Sequence, residues 1–176
     1  RSLTQQSPSL LSMLSEGITE DFPIPEPEEM LSDLQSRMIN DFPVSNPTPS
    51  FTVKDVVPSL EPYSAPAFYL TTPLGDSDNN VIYINRRNSP MGLELYTTLA
   101  HEGFPGHLYQ TVYSNRAFLD KDMDPVRKLI WYGGYLEGWA LYVEFISYDY
   151  AADLLEQCGQ SDAAQAALLE KHTRSL

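Results

Sequence analysis

Proline is the residue that most restricts this chain. Eleven of its 14 prolines lie within residues 1–73, and only Pro90, Pro105 and Pro125 follow. Inside a helix, proline removes a hydrogen bond and clashes with the preceding turn. Long helices are therefore expected in the second half. In the first half, Ser9–Ile18 reads as a short helix, and Pro23-Ile24-Pro25-Glu26-Pro27 is a breaker. Glu28–Ile39 carries Met30, Leu31, Leu34, Met38 and Ile39 at amphipathic helical spacing. Asp41–Ser50, with Pro43, Pro47 and Pro49, reads as a linker or extended loop.

From Phe51 the pattern changes. Phe51–Val57, Ala67–Thr72 and Val81–Asn85 are β-branched and aromatic and read as strands. The second and third can pair as a hairpin around the polar turn Asp76–Asn80. Beyond Met91 the spacing predicts helices over about 92–104, 106–119, 125–148 and 151–172. The expected fold class is α+β, mainly α: a helical core with a small antiparallel sheet. Residues 1–50 form an N-terminal helical segment with a proline-rich linker, and residues 51–176 form the core.

Charge narrows the function. The chain has 24 Asp and Glu against 11 Lys and Arg, a formal net charge of -13. Phosphate backbones need clustered basic residues, so a nucleic acid is not an expected partner, and anionic lipid is disfavoured for the same reason. No apolar run approaches the roughly 18 residues of a membrane span. Cys158 is the only cysteine, so an internal disulfide is impossible. The chain starts at Arg1 without a signal-peptide pattern and is read as mature, trimmed or excised.

Two of the three histidines share one window, His101-Glu102-Gly103-Phe104-Pro105-Gly106-His107. A His-Glu pair at a helix end opens the zincin signature, in which two imidazoles bind zinc and the glutamate activates a water. There the histidines stand four apart. Here they stand six apart, about 240° out of phase on an unbroken helix. The window carries its own correction. Pro105 cannot donate to the His101 carbonyl and its ring clashes there, so the helix must open. Gly106 tolerates unusual backbone angles, and a tight turn can bring His107 back toward His101. The plainer alternative packs His101 locally and leaves His107 on the surface.

A zinc site of this kind needs a third protein ligand. Glu137 and Glu144 are seven apart and share a helical face within about 20°. Their helix is apolar on most of its circumference, with Trp139, Val143 and Phe145, and carboxylates in such company need a partner. A metal or a metal-bound imidazole would serve; a solvent-facing stripe is the alternative.

His101-Glu-Gly-Phe-Pro-Gly-His107, followed by Leu-Tyr-Gln110 and then by Glu137-Gly-Trp-Ala-Leu-Tyr-Val-Glu144, resembles the bacterial domain of unknown function 885. That family resembles gluzincin metallopeptidases in motif order. Val81–Asn85 and Leu95–Ala100 share the resemblance, which runs from about Ala65 to Glu144. Family members commonly carry a second histidine where this chain has Leu108. They are also several times longer, with downstream helices bearing an Arg, an Asp and another His, so the chain is expected to be an excised or short core.

The resemblance implies a zincin-like core with His101 and His107 as zinc ligands and Glu102 as general base. Glu137 is then the third ligand, and Glu144 its supporting residue or alternative. By proximity in sequence alone, Tyr132, Tyr135 and Tyr142 are candidate oxyanion donors, and Tyr142 is the one expected to be catalytic. The implied activity is zinc-dependent amide hydrolysis on a peptide. Val81–Asn85 could be an edge strand along which the peptide lies by strand addition, or equally an ordinary internal strand. A homodimer or a missing domain is expected to cover the core, and an extracytoplasmic or lipoprotein origin is favoured. Two other readings compete: a non-catalytic zincin-like binding or structural module, and a metal-free hydrolase using Glu137 and Glu144. The latter pair is separated by a rise of about 10.5 Å, beyond the spacing of paired carboxylates in inverting glycosidases, and leaves both histidines unexplained.

Overall fold

The computed structural model of the protein describes residues 21–72, 78–121, 124, 126, 130 and 132–175. The helix expected at Ser9–Ile18, part of the Asp76–Asn80 turn and much of 125–132 lie outside these residues.

The first described helix, α1, is Pro27–Arg37 and continues as a 3-10 turn over Met38–Asn40. Pro27 begins it where a missing N–H costs nothing. Glu28 and Glu29 in its first turn and Arg37 in its last complement the helix dipole. Met30, Leu31 and Leu34 are fully buried, and Met38 nearly so. Tyr96, itself fully buried, donates to Asp33 Oδ2 at 2.6 Å, and Arg37 Nε donates to the same oxygen at 2.8 Å.

The proline-rich stretch that follows is irregular, as expected. Proline offers carbonyls but no N–H, and these carbonyls are taken by side chains from the helices. Gln35 Nε2 donates to Pro49 O at 2.9 Å and Tyr109 Oη to Pro43 O at 2.7 Å. Arg116 reaches Ser45 and the Pro47 carbonyl. Tyr150 Oη closes the segment on Asp41 at 2.5 Å.

Three strands follow: β1 Phe51–Asp55, β2 Ala67–Leu70 and β3 Asn80–Ile84. Their order is β1-β3-β2, with β2 antiparallel and β1 parallel to β3. The hairpin of the second and third strands is as expected, but the sheet is mixed rather than antiparallel. The reason lies in residues 56–66, which carry the chain around the end of β3. Val56 N donates to Ile84 O and Asn85 N to Pro66 O, both at 2.9 Å. The buried Asn85 carboxamide donates to Glu61 O and Ser64 O. The chain therefore returns on the far side of β3.

This topology also decides between the two readings of Val81–Asn85, in favour of the internal strand. β3 is paired on both sides and its Ile82 and Ile84 are fully buried, so no peptide can add to it.

Four helices complete the described elements: α2 Gly92–Glu102, α3 His107–Asp120, α4 Gly133–Gln157 and α5 Ser161–Arg174. α2 is the central one, with Leu93, Leu95, Tyr96, Thr97, Leu99 and Ala100 buried. The break expected near residue 150 falls instead at Cys158–Gln160. Gly159 adopts φ 76°, with Gln160 N bonded to Leu155 O and Gly159 N to Glu156 O. That is a Schellman stop, which glycine permits without strain. It turns α5 back onto α4, where Ala163, Ala164, Ala166 and Ala167 are buried and keep the two helices close.

Candidate metal centre

The site begins where α2 fails to continue. Glu102 is its last residue, and Gly103 N still bonds Leu99 O at 2.8 Å. Gly103 then sits against the core so tightly that a Cβ there would lie 2.4 Å from Leu31 Cδ2. Phe104 is fully buried, edge-on to Phe51 at 5.6 Å. Gly106 folds directly over the end of α2: a Cβ there would lie 1.8 Å from the His101 carbonyl oxygen. α3 starts at the next residue, His107. The break expected between Gly103 and His107 is therefore present, and it re-phases the second histidine. The two imidazoles stand 4.9 Å apart between ring centres, at 82° to one another. One ligating atom from each of His101, Glu102 and His107 falls within a 4.8 Å cluster.

α4 supplies the glutamates. Trp139 Nε1 donates to Pro105 O at 2.8 Å, fastening α4 to the turn. Glu137 Oε2 lies 3.6 Å from Nε2 of His101 and 3.6 Å from Nε2 of His107. Glu144 Oε2 lies 3.1 Å from the other ring nitrogen of His101, Nδ1. One helical face thus addresses both nitrogens of His101 from two turns. Glu137 is largely exposed and Glu144 is largely covered, so the centre opens to solvent on the Glu137 side.

Two imidazole nitrogens and a carboxylate oxygen are donors of a kind that zinc takes. Bonds of about 2.0–2.2 Å in a tetrahedron place neighbouring ligand atoms about 3.3–3.5 Å apart. Both Glu137–imidazole separations are close to that. Glu144 Oε2 at His101 Nδ1 occupies the position in which a carboxylate commonly stands behind a metal-binding histidine.

Electrostatics follow from the packing. Burial pulls the His101 imidazole down, but the Glu144 hydrogen bond and the charges of Glu102, Glu144 and Glu137 outweigh it, so its pKa is raised. Burial and the neighbouring His101 hold His107 below the ordinary histidine value, against the opposing pull of Glu137. Burial raises Glu102, and Glu137 adds to this, although the Tyr69 N–H and His101 act the other way. A carboxylate so placed has increased proton affinity, the property a general base needs.

Two contacts had no signal in the sequence. Tyr69 N on β2 donates to Glu102 Oε2 at 2.9 Å across 33 residues, so β2 passes beside the glutamate. Arg174, in the last turn of α5, donates from Nη1 to Glu144 Oε1 at 3.2 Å. No short-range pattern encodes either.

The tyrosines are placed differently from the glutamates. Tyr132 and Tyr135 are exposed at the start of α4. Tyr142 is exposed with its ring on Trp139, about 140° around α4 from Glu137. Gly133 and Gly134 form the first turn of α4, where open space surrounds Gly134.

Comparison with known proteins agrees with this architecture. A solved structure described as "the putative lipoprotein from Colwellia psychrerythraea" matches 92% of this chain at 24% identity, with a TM-score of 0.56. The chain covers 26% of that protein, about a quarter of its length. No curated protein matches. The model of one family, described as bacterial protein of unknown function (DUF885), matches residues 19–168. The chain belongs to the DUF885 family of bacterial proteins.

Proposed function

We propose that the chain is the core of a zinc-dependent hydrolase acting on amide bonds, with His101, His107 and Glu137 as ligands. The observation that carries the reading is the position of one Glu137 oxygen, 3.6 Å from Nε2 of each histidine, with Nδ1 of His101 held by Glu144. When bound, zinc supplies a Lewis acid and lowers the pKa of water toward about 7.

The remaining chemistry belongs to this chain's own residues. Glu144 accepts the Nδ1 proton of His101, which leaves the Nε2 lone pair facing Glu137 and His107. Glu102, steadied by the Tyr69 N–H, takes a proton from the attacking water and passes it to the leaving amine. Burial of its carboxyl suits it to hold that proton between the two steps. An oxyanion donor is also required. Tyr142 fills that role only if its side chain leaves Trp139. The site leaves β2 beside Glu102, so a peptide substrate would meet β2 before the internal β3. An extracytoplasmic or lipoprotein origin is part of the proposal, and the description of the Colwellia psychrerythraea protein as a lipoprotein is in line with it.

The test is elemental analysis of protein purified without a histidine tag or added metal, followed by a peptide-library assay. One zinc per chain is expected. His107→Ala should lose it, whereas Glu102→Gln should keep zinc and lose chelator-sensitive turnover by at least about 100-fold. A full equivalent of zinc in His107→Ala would overturn the ligand set. Zinc without turnover in the unaltered chain would leave a non-catalytic metal module.

A further inference from the structure

We propose that Arg174 is a positioning residue for the metal centre, acting through Glu144 to fix the orientation of His101. The inference rests on the zinc reading above and extends it to α5, which contributes no ligand.

An exposed arginine–glutamate pair ordinarily contributes little, because solvent competes and two long side chains must be ordered. The surroundings of this pair are different. Glu144 has both oxygens engaged: Oε2 with His101 Nδ1 at 3.1 Å and Oε1 with Arg174 Nη1 at 3.2 Å. Arg174 is itself held, because the same nitrogen donates to Tyr148 Oη at 2.8 Å. Tyr148 is fully buried and donates onward to Glu170 Oε1 at 3.2 Å.

Glu144 and Tyr148 are one turn apart on α4, and Glu170 and Arg174 are one turn apart on α5. The four groups thus form a ladder between two helices that the buried alanines of α5 bring close. A carboxylate gripped at one oxygen can still rotate about its last torsion. Gripped at both, it presents Oε2 in one place. His101 Nδ1 then has a fixed acceptor, the ring keeps one tautomer, and Nε2 keeps one direction toward Glu137 and His107.

The experiment measures zinc affinity by chelator competition and the visible spectrum of the cobalt(II)-substituted protein, on the full 176-residue chain. Loss of an outer partner of a metal-bound histidine weakens binding about 10–100-fold. Arg174→Ala, one step further out, is expected to weaken zinc binding roughly 5-fold and to shift the cobalt bands. Arg174→Lys, which keeps a cationic donor, should recover part of both. In a Glu144→Gln background, Arg174→Ala should have no further effect on either readout, a result that a merely structural role would not give.

Circular dichroism checks each fold, and Arg174→Gln, which can still bond Tyr148, replaces Arg174→Ala if that variant unfolds. Unchanged affinity and spectrum in the folded Arg174 variants would overturn the proposal, as would full additivity with Glu144→Gln. Absence of zinc binding by the unaltered chain would instead overturn the metal reading beneath it.

Discussion

Glu137 and Glu144 look equivalent on a helical wheel, and their surroundings separate them. Glu137 offers one oxygen to Nε2 of both histidines, whereas Glu144 meets only Nδ1 of His101. If Glu137 is a ligand and Glu144 its supporting carboxylate, as proposed, their substitutions should differ in consequence. Glu137→Gln is expected to cost at least about 100-fold in zinc affinity, and Glu144→Gln about 10–100-fold, the range for outer partners. Competition with a chromogenic chelator measures both. A larger loss at Glu144 would reverse the assignment. Glu102 differs again: it accepts from the Tyr69 N–H, lies in one cluster with both imidazoles, and owes its raised proton affinity chiefly to burial. That His101, Glu102 and His107 come together was legible in the sequence, because Pro105 and Gly106 between the histidines allow the turn that returns the second one. The roles of Tyr69 and Arg174 were not legible, since a backbone N–H 33 residues away and an arginine 30 residues away leave no local pattern.

At the scale of elements, the turn between α2 and α3 is the decisive device. Pro105 announced it, but its shape comes from how Gly103 and Gly106 pack. Gly106 shows this most clearly, because a Cβ would meet the backbone oxygens of His101 and Ala100 at 1.8 and 2.3 Å. Backbone cannot be displaced as a flexible side chain can. Gly106→Ala is therefore expected to destabilise the fold by more than about 3 kcal/mol and to abolish zinc binding. Urea unfolding and metal analysis read the two effects, and a variant of native stability with full zinc would contradict the close approach. Helix identities were readable from apolar spacing; helix ends were less so. α4 runs on to Gln157 because its stop signal is Gly159 in a left-handed conformation, not a change of periodicity.

At the scale of the molecule, the centre joins three helices. His101 comes from α2, His107 from α3 and Glu137 from α4, so an ion held by all three, as proposed, would add a link to elements otherwise joined by packing and by the Trp139–Pro105 and Glu144–His101 hydrogen bonds. Zinc should accordingly stabilise the folded chain by mass action, about 2.7 kcal/mol at a hundredfold excess over Kd. For a chain of this size that corresponds to a rise of roughly 5–10 °C in Tm. Calorimetry with and without a chelator measures it, and His107→Ala should abolish the shift. No described helix is long and apolar enough to cross a membrane. By itself, the sequence determined the helical bias of the second half, the pairing of β2 with β3, the break before His107 and the shared face of Glu137 and Glu144. Those follow from proline, from two-residue and 3.6-residue periods, and from short spacings that the backbone enforces locally. Only the tertiary structure decided that β3 is internal and the sheet mixed, because strand order depends on how residues 56–66 pass around Asn85. Only it decided that β2 meets Glu102 and that α5 meets Glu144, because such contacts arise when distant elements bury their apolar faces together.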